Sequence, residues 1–192
     1  MCRPDEPACL VIDPGAEPSR ILEVIEERKL EPIAVLVTHA HIDHVGALAA
    51  VARSTGAPVY SSRGELPWLR ELSGDDYPGY QDAVPHEPDH LLDGGEKLTV
   101  GPYEIEVRSA PGHSPGSLAF AIDGALYGGD VLFRGSVGRT DLREGDWPTL
   151  QASIAALIAE YPPETPVLSG HGDPTTLGDE LATNPFLEEL RR

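Results

Sequence analysis

The chain has 192 residues, and its 14 Lys and Arg against 32 Asp and Glu give a net charge of −18, a field that repels phosphate backbones and speaks against a nucleic-acid partner. Hydrophobic residues make up 40% and charged residues 24%, and no stretch approaches the roughly 20 apolar residues of a membrane helix, so no membrane association is expected. The length suits one domain, 1–192, with a good core.

The first residues, MCRPDEPACLVIDPG, have no apolar h-region with a small-residue cleavage site, so a cytoplasmic location is expected. Cys2 and Cys9 sit seven apart with no CxxC, which indicates neither a disulfide framework nor a thiolate zinc site. ACLVI (8–12) is predicted to be a buried strand, and PSRILEVIEERKL (18–30) a helix with Ile21, Leu22, Ile25 and Leu30 on one face. IAVLVT (33–38) has the β-branched content of a strand, and VGALAAVARSTG (45–56) that of a helix stopped at Gly56. PVYSS (58–62) is a strand, and the following Gly, Pro and Asp-rich segment to about residue 92 reads as loop with a short helix around GELPWLREL. KLTVGPYEIEVRSA and SLAFAIDGALYGG read as two hairpins, the second turning on Asp123-Gly124. WPTLQASIAALIAEY (147–161) is an amphipathic helix capped by Asp146, TPVLSG a last strand, and the end helical. Hairpins among interspersed helices rule out a regular doubly wound sheet and suit an α/β (α+β) fold of two mixed sheets with helices outside.

Three of the chain's seven histidines lie in THAHIDH (38–44). His39 and His41, at i and i+2 of extended chain, point to one side, while Asp43 and His44 come where the chain turns into a helix. Three later strand ends carry further candidates beside glycine: His113 in SAPGHSPGS, Asp130 in YGGDVLF and His171 in VLSGHGDP. These loops are expected to converge on the first. Neutral imidazole and carboxylate suit zinc, iron or manganese, and the lack of thiolates argues against a closed structural zinc site. So many donors exceed one tetrahedral ion, which points to two ions about 3.5–4 Å apart, with a water pKa lowered to about 7.

HxHxDH with GH(113)SPGS, GGD(130) and SGH(171)G resembles the metallo-β-lactamase superfamily, over nearly the whole chain. Within it, GDVLFRGSVGRTDL and HGDPTTLGDELATNPFL look like the small glyoxalase-II-like hydrolases related to hydroxyacylglutathione hydrolase. The resemblance implies a four-layer αββα sandwich with the metals at one edge. His39, His41 and His113 would hold one metal, Asp43, His44 and His171 the other, and Asp130 would bridge, so that Asp43 and Asp130 also carry catalytic roles. It implies two divalent ions, zinc foremost with iron or manganese as alternatives. A metal-bridging hydroxide would attack a small-molecule thioester of a small, glutathione-like thiol. Asp13 in VIDPG matches a supporting position, and is otherwise a plain turn residue.

The sequence departs from that pattern in places. Glyoxalase II adds a carboxy-terminal helical domain that binds glutathione, whereas about twenty residues follow His171 here. Arg139 falls where that enzyme has a glutathione-contacting lysine, and so is a substrate-binding candidate or a structural partner of a nearby acid. Asp141 falls where it has a tyrosine. Relatives usually carry a first hairpin ahead of ACLVI, so the hairpin is expected to be missing; an exposed sheet edge would favour a homo-oligomer.

Gly112-His113-Ser114-Pro115-Gly116 spells the GxSxG serine elbow, but that motif needs a helix after it and SLAFAIDG reads as strand. His86 and His90 read as solvated loop or lid, and Trp68, Tyr77 and Tyr80 as loop packing or substrate contacts. The rival from the same superfamily is a mononuclear iron persulfide dioxygenase using His39, His113 and Asp130. A common β-lactamase is disfavoured because no cysteine follows Cys9.

Overall fold

Short β-branched runs flanked by turn residues become strands, and the apolar repeats between them become helices, in a computed structural model that describes residues 1–81, 83–142 and 144–191. The chain divides into two compact units, residues 1–93 with 99–102, and residues 94–98 with 103–191. Among the described residues there are six α-helices and two main sheets, the mixed α/β class expected from the sequence. No helix among them is long and apolar enough to cross a membrane.

The first unit contains β1 (Ala8–Ile12), α1 (Pro18–Glu27), β2 (Glu31–Leu36), α2 (Ile42–Val45), α3 (Leu48–Thr55), β3 (Val59–Ser62), α4 (Leu66–Glu71) and β4 (His90–Leu92). Its strands lie in the order β1-β2-β3-β4 and pair in parallel. An antiparallel bridge of Cys2 to Cys9 at the β1 edge makes the sheet mixed. Pro18 opens α1, where a missing N–H costs nothing, and Lys29 in the left-handed conformation (φ 53°) ends it before Leu30. The core joins Val35 and Val37 to Val45, Leu48, Val51 and Leu69, each worth about 1.5–3 kcal/mol for burial.

The region expected to be loop up to residue 92 is more ordered than its composition indicates. A 3₁₀ turn (Arg63–Glu65) and α4 begin it, and β4 ends it, with Tyr60, Ser61 and Ser62 opposite His90, Leu91 and Leu92. Three residues carry no readable period, and β4 exists because β3 offers a parallel edge. His90 stacks on Tyr60 with ring centroids 4.3 Å apart, and so belongs to the sheet, not to a lid.

The second unit contains β5 (Lys97–Val100, along which the chain passes into the first unit), β6 (Tyr103–Ser109), β7 (Leu118–Ile122), β8 (Ala125–Gly129), β9 (Leu132–Phe133), β10 (Ser136–Val137), α5 (Trp147–Glu160), β11 (Pro166–Ser169), β12 (Thr175–Thr176) and α6 (Leu177–Thr183). A 3₁₀ segment, Pro185–Arg191, follows. The sheet order is β12-β11-β8-β7-β6-β5, with β8 and β11 parallel and β6, β7 and β8 antiparallel. Asp123 (φ 49°) and Gly124 (φ 79°) form the primed turn read from the sequence. Asp146 caps α5 by accepting from Thr149 N at 2.9 Å, a bond worth about 1 kcal/mol. Leu150, Ile154 and Leu157 of α5 pack on Leu126, Leu132 and Leu177.

Candidate metal centre

In the first unit the chain leaves β2 extended through His41, and the imidazoles of His39 and His41 lie 4.7 Å apart, nearly perpendicular. His44, in α2, has its ring 4.0 Å from that of His39. Asp13 organises this loop. Its Oδ1 accepts from Thr38 N at 2.7 Å, and its Oδ2 accepts from the Thr38 hydroxyl at 2.6 Å and faces His44 Nδ1 at 2.9 Å.

These bonds settle which ring nitrogens carry hydrogen. A carboxylate only accepts, so His44 Nδ1 is the protonated nitrogen. The Thr38 hydroxyl spends its one proton on Asp13, so at 3.0 Å it accepts from His39 Nδ1. Both Nε2 atoms are left with lone pairs, and His44 Nε2 lies 4.0 Å from Asp43 Oδ2. Asp13, His39 and His44 offer ligand atoms within 4.8 Å of one another, but the oxygens of Asp13 are committed to hydrogen bonds. Asp13 therefore stands behind the imidazoles and orients them, the supporting role that the resemblance implied.

Two further residues hold this loop. Glu65 is completely buried, and its Oε2 accepts from Ala40 N at 2.8 Å, fixing the backbone between His39 and His41. A Cβ at Gly15 would overlap the Asp43 carbonyl oxygen, so only glycine lets Asp43 sit there. Trp68 lies with its ring 5.5 Å from that of His41, and Tyr80 packs on the core of this unit, while Tyr77 is exposed. Burial lowers the pKa of His86 below the ordinary histidine value.

In the second unit His113, buried between β6 and β7, donates from Nδ1 to the Arg139 carbonyl at 2.7 Å. Its Nε2 is thereby left with the lone pair, 3.6 Å from Asp130 Oδ2. His171 Nε2 is also 3.6 Å from Asp130 Oδ2, and its side chain is 53% exposed. Such spacings exceed a hydrogen bond and suit donors about 2.0–2.1 Å from shared ions. The parallel register that sets Ser169 opposite Gly129 brings Asp130 and His171 side by side. A Cβ at Gly138 would overlap the Asp130 carbonyl oxygen, so a glycine again lies under an acidic residue.

Arg139 makes a two-pronged pair with Asp141, at 2.7 and 2.8 Å. Those bonds hold the exposed Asp141 carboxyl down at about 2. Arg139 also lines a groove of about 720 Å³ with Trp147, Gln151 and Phe186. Ser114 is buried, its hydroxyl lies 2.7 Å from that of Ser117, and β7 follows where a serine elbow needs a helix.

Residues 5–171 match the family model described as the metallo-beta-lactamase superfamily. The chain belongs to the metallo-β-lactamase superfamily. It is 42% identical over 183 residues to a probable metallo-hydrolase, YqgX, of Bacillus subtilis, covering 93% of this chain and 87% of the relative. It is 35% identical over 188 residues to the hydroxyacylglutathione hydrolase GloC of Haemophilus influenzae, covering 95% and 89%. Among solved structures, that of BLEG-1, a B3 metallo-β-lactamase, matches at a TM-score of 0.89 and 40% identity, covering 96% of this chain and 90% of that one. TTHA1623 in a di-iron-bound form matches at 0.83 and 42%, covering 92% and 88%. This member of the superfamily is a metallo-hydrolase with His and Asp clusters fit to bind divalent metal.

Glu65, Gly15 and Gly138 had no signal in the sequence. Each acts through the backbone of a distant residue, and no local pattern encodes that.

Proposed function

We propose that the chain is a dinuclear metal-dependent thioester hydrolase. The observation that carries this reading is Asp130 Oδ2, equally far from the Nε2 atoms of His113 and His171, as a carboxylate bridging two ions would be. In this reading His39, His41 and His113 would hold one ion, and Asp43, His44 and His171 the other. The donor set is nitrogen and oxygen throughout, which fits zinc, iron or manganese; zinc is the assignment tested first. Divalent ions, when bound there, would supply hydroxide near neutral pH and polarise the substrate carbonyl.

The chain's own residues do the rest. Asp13 and the Arg139 carbonyl hold the His39, His44 and His113 rings in the tautomer that presents Nε2. Arg139, on the groove beside His113, contacts the thiol portion of the substrate. Similarity to GloC supports a thioester of a small thiol, and similarity to BLEG-1 makes a β-lactam the comparison substrate.

The test is metal analysis of protein purified without added metal, paired with a panel of glutathione and other small-thiol thioesters, a chromogenic cephalosporin and a persulfide. Two metal equivalents with thioester turnover support the proposal. A single iron with oxygen uptake on the persulfide, or cephalosporin cleavage without thioester cleavage, overturns it.

A further inference from the structure

The two cysteines, unremarkable at seven residues' separation, are brought face to face. Met1 and Leu10 exchange both backbone hydrogen bonds, Met1 N to Leu10 O at 2.7 Å and Leu10 N to Met1 O at 2.9 Å. The next antiparallel pair inward is Cys2 with Cys9. By the alternation of an antiparallel ladder it is a non-hydrogen-bonded pair, whose Cα atoms lie about 4.5 Å apart with side chains on one face. That separation falls within the roughly 4.4–6.8 Å range of disulfides. The segment between them is already held, since Pro7 O accepts from Glu31 N at 2.7 Å and Arg3 donates to Pro102 O at 2.9 Å. Closing a bond would therefore not require the backbone to move.

We propose that Cys2 and Cys9 form a reversible redox pair that closes a disulfide across the outer edge of β1. The two thiols differ in the way such a pair needs. Cys2 is exposed and meets the oxidant, while Cys9 is 2% exposed and resolves. With a low-molecular-weight disulfide as oxidant, the Cys2 thiolate attacks one of its sulfurs and releases one thiolate. The Cys9 thiolate then attacks the Cys2 sulfur and releases the second. Two protein thiols are oxidised to one S–S bond, the small disulfide is reduced to two thiols, and those thiols take up the two protein protons. Burial foremost, opposed in part by the N-terminal ammonium and aided by the charge of Cys2 and its hydrogen bond, pushes the Cys9 thiol up to about 11. A mixed disulfide at Cys2 removes the last two causes, so the resolving thiol is eased only once it is needed. The finished bond would staple residues 1–2 onto the edge of β1, where they already pair.

The test is titration of the purified full chain in mixtures of reduced and oxidised glutathione, read by intact mass, alkylation of the denatured protein and thermal melting. The expected result is loss of both alkylatable thiols, a mass lower by about 2 Da, no new dimer, and a Tm about 5 °C higher that reverts with reductant. Cys9→Ser should stop at one stable glutathione adduct, and Cys2→Ser, which leaves the core intact, should keep Cys9 unmodified. A persistent adduct or two free thiols in the unsubstituted chain at every ratio, or a bond between chains, overturns the proposal.

Discussion

The two sets of metal-ligand candidates are built by opposite means. In the first unit four side chains within residues 39–44 are organised by another side chain, Asp13, which engages Thr38 twice and His44 once. In the second, His113, Asp130 and His171 come from loops far apart in the chain, brought to one place by the β6-β7-β8-β11 part of the sheet, and the group that orients His113 is a backbone carbonyl. A side-chain orienter can be removed by one substitution. A backbone orienter survives any replacement that keeps the fold.

His113→Ala should have the largest effect, a loss of about a thousandfold or more in thioester hydrolysis together with one metal equivalent, read by turnover and metal analysis. Unchanged stoichiometry would remove His113 from the second set. Gly138→Ala should come next, lowering turnover by about a hundredfold, because its Cβ displaces Asp130, whose carboxylate faces both histidines. Gly15→Ala displaces Asp43 in the same manner, and comparing the two variants by kinetics shows which set tolerates movement.

Asp13→Ala should weaken metal binding about 10–100-fold and destabilise the fold by about 2–3 kcal/mol, because the buried Thr38 N–H loses its acceptor and two rings lose their orientation. Competition with a chelator and denaturant unfolding measure the two. Arg139→Ala keeps the carbonyl that holds His113, so kcat should stay within about threefold while KM for the thioester rises several-fold. The same variant should return the Asp141 carboxyl from about 2 to the ordinary carboxylate range, read by NMR titration. A depressed pKa contributes stability above the unfolded value and loses it as pH falls toward 2. With both partners exposed, the melting temperature at neutral pH should barely change.

The same division appears in what could be read in advance. The contiguous HxHxDH loop, the Asp146 cap and the Asp123-Gly124 turn are local chemistry and were legible in the residues. His113, Asp130 and His171 were legible as residues beside glycine, although Gly112 serves mainly to let the loop approach Leu150 of α5. Strands β4, β9, β10 and β12 were not legible, being two or three residues long and owed to the edges they pair with. Glu65 looked like one more acid in an acidic chain until its oxygen was found on Ala40 N.

By itself the sequence determined which side chains could hold metal, because donor type and spacing are properties of the chain. It also determined most long elements, because their periods are local. Only the tertiary structure decided which nitrogen His39, His44 and His113 present, which glycines must stay glycine, and that Cys2 faces Cys9. Those facts depend on groups distant in sequence meeting within hydrogen-bonding or van der Waals reach, and no spacing along the chain records such a meeting.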